Sequence, residues 1–249
     1  MTSTTSDPST ALVTGATSGI GRATAIALAA AGIHVAVSGR DKVRGDLTVA
    51  AIQAANGRAD FVPAHLHDAA SATQLAAAAE AVLGHVDILV NNAGSGAFGP
   101  TADTTEAAFD ELFALNVKVP YFLTAALAPG MAEHGTGVIV NVSTMVADYG
   151  AAGLSLYGSS KAAINLLTKA WAAEYGPKGV RVNTVSPGPT RTEGTAAMGD
   201  ALQQLAAQAP AGRPAAPAEI AEAIVFLATD RASFIQGAIL PVDGGRTAV

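Results

Sequence analysis

The 249-residue chain contains no cysteine, which removes disulfides, thiolate nucleophiles and cysteine-held metals from consideration. Histidine is sparse as well, and the five present form neither an H-x3-H nor an H-E-x-x-H pattern, so no metal is expected. Only 14% of the residues are charged and the net charge is −6. The few basic residues are scattered, which leaves no electrostatic footprint for a nucleic acid. Apolar runs are interrupted by Gly, Pro, Asn or a charge before they reach the ~18 residues of a membrane span. The polar start M-T-S-T-T-S-D-P-S-T has neither the basic nor the apolar stretch of a signal peptide. These absences predict a soluble, cytoplasmic protein with no membrane partner, whose residues 1–9 form a flexible tail.

What the chain has in quantity is apolar residues, 50% of the total, enough to bury a large core in one domain spanning 10–249. Short strand-like runs at Ala11–Thr14, His34–Ser38, Asp60–Pro63, Ile88–Asn91, Val138–Val142, Arg181–Val185 and Ile239–Val242 alternate with helical patterns. Such alternation predicts βα units and a parallel sheet. Gly32, Asn56-Gly57, Gly84 and Gly176-Pro177 mark helix ends. Right-handed crossovers put the switch point of the sheet beside the first strand, and ligands bind where strands end at a switch point. Gly15, Arg40, Asn92, Thr144 and Pro187 each follow a strand, so they are expected along one edge.

Two motifs carry chemistry. After the first strand, Thr14-Gly15-Ala16-Thr17-Ser18-Gly19-Ile20-Gly21 leads into a helical stretch. Glycines permit a tight turn and a close approach to a pyrophosphate, and the helix N-terminus supplies free N–H groups and a positive dipole end. Further on, Tyr157 and Lys161 are four residues apart, with Thr144 thirteen residues upstream of the tyrosine. Side chains four apart share a helix face, and an ammonium beside a phenol favours the phenolate and lowers its pKa. The pair reads as a general acid/base.

Together with N-N-A-G at 91–94, Asn116, S-T at 143–144, S-P-G-P-T-R-T at 186–192 and V-D-G-G at 242–245, these motifs resemble the short-chain dehydrogenase/reductase family from about Thr10 to Arg246. The resemblance implies an α/β, single-domain Rossmann fold with a doubly wound, seven-stranded parallel sheet flanked by helices. It also implies hydride transfer between a nicotinamide and a carbonyl carbon, with Tyr157 as acid/base, Thr144 holding the substrate oxygen, and Lys161 tuning the phenol and holding the ribose. Asn116 would support a proton path. The implied cofactor contacts are Gly15, Thr17, Ser18, Gly19, Ile20, Gly21, Arg40, His65, Leu66, Asn92, Ala93, Gly94, Tyr157, Lys161, Pro187, Gly188, Thr190 and Thr192. Glu193–Pro210 resembles a substrate lid, placed within 190–212, and family habit implies a homotetramer.

The chain departs from the family pattern in places. Gly39 stands where relatives preferring NAD are acidic, and Arg40 follows with a guanidinium suited to a 2′-phosphate; NADP(H) is preferred and NAD(H) remains possible, with Asp41 as the alternative ribose ligand. His65 replaces the usual Asp or Asn before the adenine-facing Leu66. Thr144 replaces serine, with Ser143 in reserve should a bulge swap the two. Ala173 before Glu174 lacks the arginine that grips a carrier protein, which favours a small carbonyl compound or secondary alcohol. An NAD(H)-dependent alcohol dehydrogenase, a 3-oxoacyl-carrier-protein reductase and a non-catalytic dinucleotide-binding redox sensor are the alternatives. Finally, Pro120 lacks the N–H that would bond the Asn116 carbonyl, which predicts a kink and a freed acceptor facing Lys161.

Overall fold

The computed structural model describes residues 9–249; apart from Ser9, the expected N-terminal tail lies outside the described residues. Seven strands form one parallel sheet in the order β3-β2-β1-β4-β5-β6-β7. They are β1 (Thr10–Val13), β2 (His34–Gly39), β3 (Arg58–Pro63), β4 (Ile88–Asn91), β5 (Gly137–Val142), β6 (Val180–Pro187) and β7 (Ile239–Val242). The helices between them are α1 (Gly19–Ala30), α2 (Lys42–Ala54), α3 (Ala69–Leu83), α4 (Glu106–Phe113), α5 (Val119–His134), α6 (Ser155–Tyr175), α7 (Asp200–Ala206) and α8 (Pro217–Ala228). All seven expected strands are present, with ends displaced by a few residues, most at β6, which runs on to Pro187.

Side-chain alternation distributes the sheet between two cores. Ala11, Val13, Val35, Val37, Val90 and Val140 face one side with Leu28 of α1 and Ile220, Ile224 and Leu227 of α8. Leu12, Ala36, Leu89, Ile139 and Val182 face the other, against Leu75 of α3, Leu123 and Leu127 of α5, and Trp171 of α6. Because both faces are covered, β1 and β4 are buried at every position, as expected for all-parallel strands. The order reverses at β1, which pairs with β2 on one side and β4 on the other. Their carboxyl ends therefore open the crevice in which α/β folds place ligands.

The stretch around Pro120 differs from expectation. Ala114–Lys118 forms a π turn, not expected from the sequence, in which the Val119 N–H donates to the Ala114 carbonyl, and Pro120 opens the α5 helix beyond it. A proline offers no N–H to the carbonyl four residues back, and a widened turn is one way a helix accommodates that lack. The continuous helix Glu106–His134 is long and apolar enough to cross a membrane by length and composition. Its buried Val119, Leu123, Leu127 and Met131 belong instead to the second core. At the end of α6 the left-handed turn falls on Gly179 (φ 85°) rather than on Gly176, because a 3-10 turn over Gly176–Lys178 extends the helix.

Candidate active site

The glycine turn is built by close approach. Gly15 has φ 64°, and a side chain on Gly21 would run into the Gly15 carbonyl and the Asn92 carboxamide. Asn92 Nδ2 donates to the Thr14 carbonyl at 2.8 Å and to that of Gly15 at 3.3 Å. The Thr14 hydroxyl accepts from the Asn92 and Ala93 amides at 3.0 Å each. Thr14 was absent from the sequence-based set, although a hydroxyl ending a buried strand at the crevice is the signal that would have found it. Ser18 occupies the N-cap of α1 without a side-chain bond, Gly19 follows with φ 52°, and Ile20 packs onto the first core. A backbone turn narrowed by glycines and ending at an N-terminus fits a pyrophosphate.

At the end of β2, a Cβ on Gly39 would lie 2.5 Å from Thr17 Cγ2, so Thr17 fills the space an acidic side chain at 39 would need. Asp41 caps α2, accepting from the Arg44 amide at 3.0 Å and pairing with its guanidinium at 2.8 Å. Those contacts, the amide first, hold its carboxyl below the usual range. Asp41 is thereby committed within its own helix, whereas Arg40 is exposed and makes no side-chain bond among the described residues. Past β3, Leu66 packs against the second core and His65 is exposed, with its ring 5.2 Å from that of His67.

The acid/base group forms where β5 ends and α6 passes over it. Thr144 is 9% exposed, and its hydroxyl faces the Tyr157 phenol closely enough to favour the phenolate. Burial outweighs it and raises the phenol above its ordinary value. The expected lowering by Lys161 is not seen, because the ammonium is engaged elsewhere: Lys161 Nζ donates to the Val142 carbonyl at 2.9 Å. Burial brings Lys161 down to about 8. Ser143 is turned away, donating to the Lys161 main-chain carbonyl at 3.3 Å.

Asn116 is fully buried. Its carboxamide accepts from the Ser95 amide and donates to the Ser95 carbonyl, each at 2.9 Å, and to Ser160 Oγ at 3.0 Å. Ser160 in turn donates to the Tyr157 carbonyl at 2.7 Å. The Asn116 side chain is thus tied to α6. Gly94 separates these groups with no room to spare, since a Cβ there would lie 3.1 Å from both Asn116 Oδ1 and Lys161 Nζ. Residues 92–94 therefore touch the glycine turn on one side and the Asn116–Lys161 pair on the other.

The far wall follows β6. The Gly188 amide donates to the Val242 carbonyl at 3.1 Å, continuing the line of Pro187, which pairs with Val242. Thr190 Oγ1 donates to the Gly188 carbonyl at 2.9 Å. Thr192 caps a 3-10 turn over Glu193–Met198, accepting from the Thr195 amide at 3.2 Å. Its hydroxyl is therefore spent within this segment. Sequence reasoning also missed Glu193 as a partner of the glycine turn, as it did Ser95 and Ser160 as partners of Asn116.

A family model described as enoyl-(acyl carrier protein) reductase matches residues 15–247. Cyclopentanol dehydrogenase of Comamonas sp. is 37% identical over 243 residues, covering 95% of this chain and 96% of its own length. One solved structure, a short chain dehydrogenase/reductase family protein, is 51% identical with a TM-score of 0.89 and covers 97% of this chain and 98% of that one. Another, from Beutenbergia cavernae, is assigned as an NAD(P)-dependent gluconate 5-dehydrogenase with NADP bound at low occupancy. It is 38% identical, with a TM-score of 0.92 and 97% coverage of each chain.

Proposed function

The chain belongs to the short-chain dehydrogenase/reductase family and is an oxidoreductase of alcohol and carbonyl groups; from that premise we propose that it uses NADP(H) to interconvert a small carbonyl compound and its secondary alcohol, with Tyr157 donating and accepting the proton. The observation that carries this reading is the meeting of Lys161 and Asn116 at Gly94, one residue from an amide that braces the glycine turn, with the Thr144 hydroxyl on the Tyr157 phenol one helical turn from Lys161.

When bound, the nicotinamide supplies the hydride in reduction and takes it up in oxidation. Tyr157, kept protonated by burial, gives its phenolic proton to the carbonyl oxygen in reduction. In oxidation it takes the alcohol's proton, a direction that rising pH favours. Thr144 donates a hydrogen bond to the same oxygen and fixes its position. Lys161, at about 8, is an ammonium at neutral pH that releases its proton more readily than an ordinary lysine, which suits it to reprotonate the phenol. Asn116 acts through its neighbours: by bonding Ser95 and Ser160 it holds the catalytic helix against residues 92–95.

NADP(H) preference is supported by three local facts. Thr17 leaves no room for an acid at 39, Asp41 is committed to capping α2, and Arg40 is free to meet a 2′-phosphate. The glycine turn from Gly15 to Gly21 would hold the pyrophosphate on its amides, and Pro187 and Gly188 would flank the nicotinamide. The segment between Thr190 and Ala215 would close over the substrate as a lid. The test is a screen of NADPH and NADH oxidation over diverse ketones and aldehydes, run beside Arg40→Asp. The variant should lose about tenfold to a hundredfold in NADPH affinity, as expected for one charge-assisted contact, with NADH use unchanged. Equal NADPH affinity in both would remove the basis for the preference.

A further inference from the structure

Helix α1 begins without a cap of its own. Ser18 makes no side-chain bond to the first turn, unlike the aspartates that cap α2 and α3. The Gly19 amide instead donates to Glu193 Oε2 at 2.9 Å, a carboxylate arriving from 174 residues further along the chain. Thr192 closes over the same point: a Cβ on Gly19 would lie 3.1 Å from Thr192 Cγ2 and 3.8 Å from Glu193 Oε2. Among the described residues no Lys, Arg or His forms an ion pair with Glu193. Its charge is met by the amide and by the positive end of the helix.

A carboxylate offers what a phosphate offers such a turn: negative oxygens that accept from backbone N–H groups. Glu193 therefore sits where the glycine turn would take a pyrophosphate. It is carried by the segment between Thr190 and Ala215, whose two ends are joined by a single bridge beyond the end of β6. At Glu193 the first turn is already organised by reciprocal bonds between Thr192 and Thr195, so the carboxylate is presented from an ordered support. Two anions competing for one set of amides repel each other at such distances.

We propose that Glu193 is an internal stand-in for the pyrophosphate of the cofactor. It docks the 190–215 segment onto the phosphate seat, and a dinucleotide must displace it to bind. The inference rests on the reading of the glycine turn as a dinucleotide site. It has an uncommon sign: removing a side chain that lines the cofactor site strengthens cofactor binding, because the side chain competes with the ligand.

The test measures NADPH affinity by fluorescence titration for the parent, Glu193→Gln and Glu193→Ala, alongside hydrogen exchange of the dinucleotide-free proteins. Glu193→Ala should bind NADPH about two- to tenfold more tightly, the size of an exposed charge at a helix end, and should expose the Gly19 amide and residues 193–206 to faster exchange. Glu193→Gln, which keeps an acceptor without the charge, should also bind more tightly while retaining part of the protection. Unchanged Gly19 exchange in Glu193→Ala overturns the docking. Equal or weaker NADPH binding by both variants, with the parent binding normally, overturns the competition and leaves the cofactor reading in place. A parent that binds neither NADPH nor NADH overturns the cofactor reading and this inference with it.

Discussion

Tyr157 and Lys161 are moved from their ordinary acidities in opposite directions by the same cause, burial, which disfavours the phenolate of one and the ammonium of the other. For Lys161 the sign of the linkage is clear. Its folded value of about 8 lies below its ordinary 10.5, so the fold bears the full cost of a buried ammonium below about pH 8, and that cost fades as pH rises towards 10.5. Lys161→Met should therefore be more stable than the parent at pH 7, by about 1–3 kcal/mol, and the gap should narrow at pH 10. Urea unfolding at the two pH values checks this; a variant no more stable at pH 7 would mean that the bond to Val142 outweighs desolvation. At the neighbouring positions, Tyr157→Phe should lower turnover about 10²–10⁴-fold while NADPH affinity stays within a small factor. Thr144→Ala should slow turnover far more than Ser143→Ala, because only the Thr144 hydroxyl faces the phenol. Greater damage from the Ser143 change would reverse that assignment.

The elements around the site are held by polar contacts as much as by apolar packing. A buried chain of side chains crosses from β4 to β6: Asn91 donates to Asn141 at 2.9 Å, Asn141 donates to Thr168 of α6 at 2.8 Å, and Thr168 meets Thr184 at 2.6 Å. It fixes the height of α6 on the sheet, two turns beyond Lys161. Asn141→Ala leaves the Asn91 amide without its acceptor and Thr168 without its donor. Each buried polar group left unpaired costs about 1–3 kcal/mol, so a loss of about 2–4 kcal/mol in urea unfolding is expected. A loss under about 0.5 kcal/mol would show that the helix is held by its apolar face alone. The π turn at Ala114–Lys118 works at the same scale, since Asn116 lies within it and reaches both Ser95 and Ser160.

At the scale of the whole molecule, the apolar side chains left uncovered are informative. Phe109 and Phe122 on the long helical stretch are 45% and 38% exposed, Leu166 on α6 is 69% exposed, and Phe109 stacks on Phe113 at 4.5 Å. Aromatic and aliphatic faces of this kind favour burial against another chain. If they are covered in the homotetramer that the family resemblance implies, light scattering at micromolar concentration should return four times the 24.7 kDa of one chain. A monomer mass, or an unchanged mass distribution after Phe122→Glu and Leu166→Glu, would contradict assembly through these faces.

The sequence by itself determined the parallel sheet, the glycine turn and the placing of Tyr157 and Lys161 one turn apart on a helix. These depend on short-range periodicity: alternation along a strand, the backbone freedom of glycine, and the four-residue repeat of a helix face. It located strand ends less well, because fraying and pairing with a neighbour decide where a ladder stops, as at β6. Only the tertiary structure decided which hydroxyl, Ser143 or Thr144, meets the phenol, since the twist at the end of β5 sets the direction of each side chain. It likewise tied Asp41 to Arg44 and set a π turn just ahead of Pro120. The contact of Glu193 with Gly19 joins residues 174 positions apart. No local pattern encodes such a contact; it exists because the segment after β6 folds back over the end of β1, bringing an acid to the amides of α1.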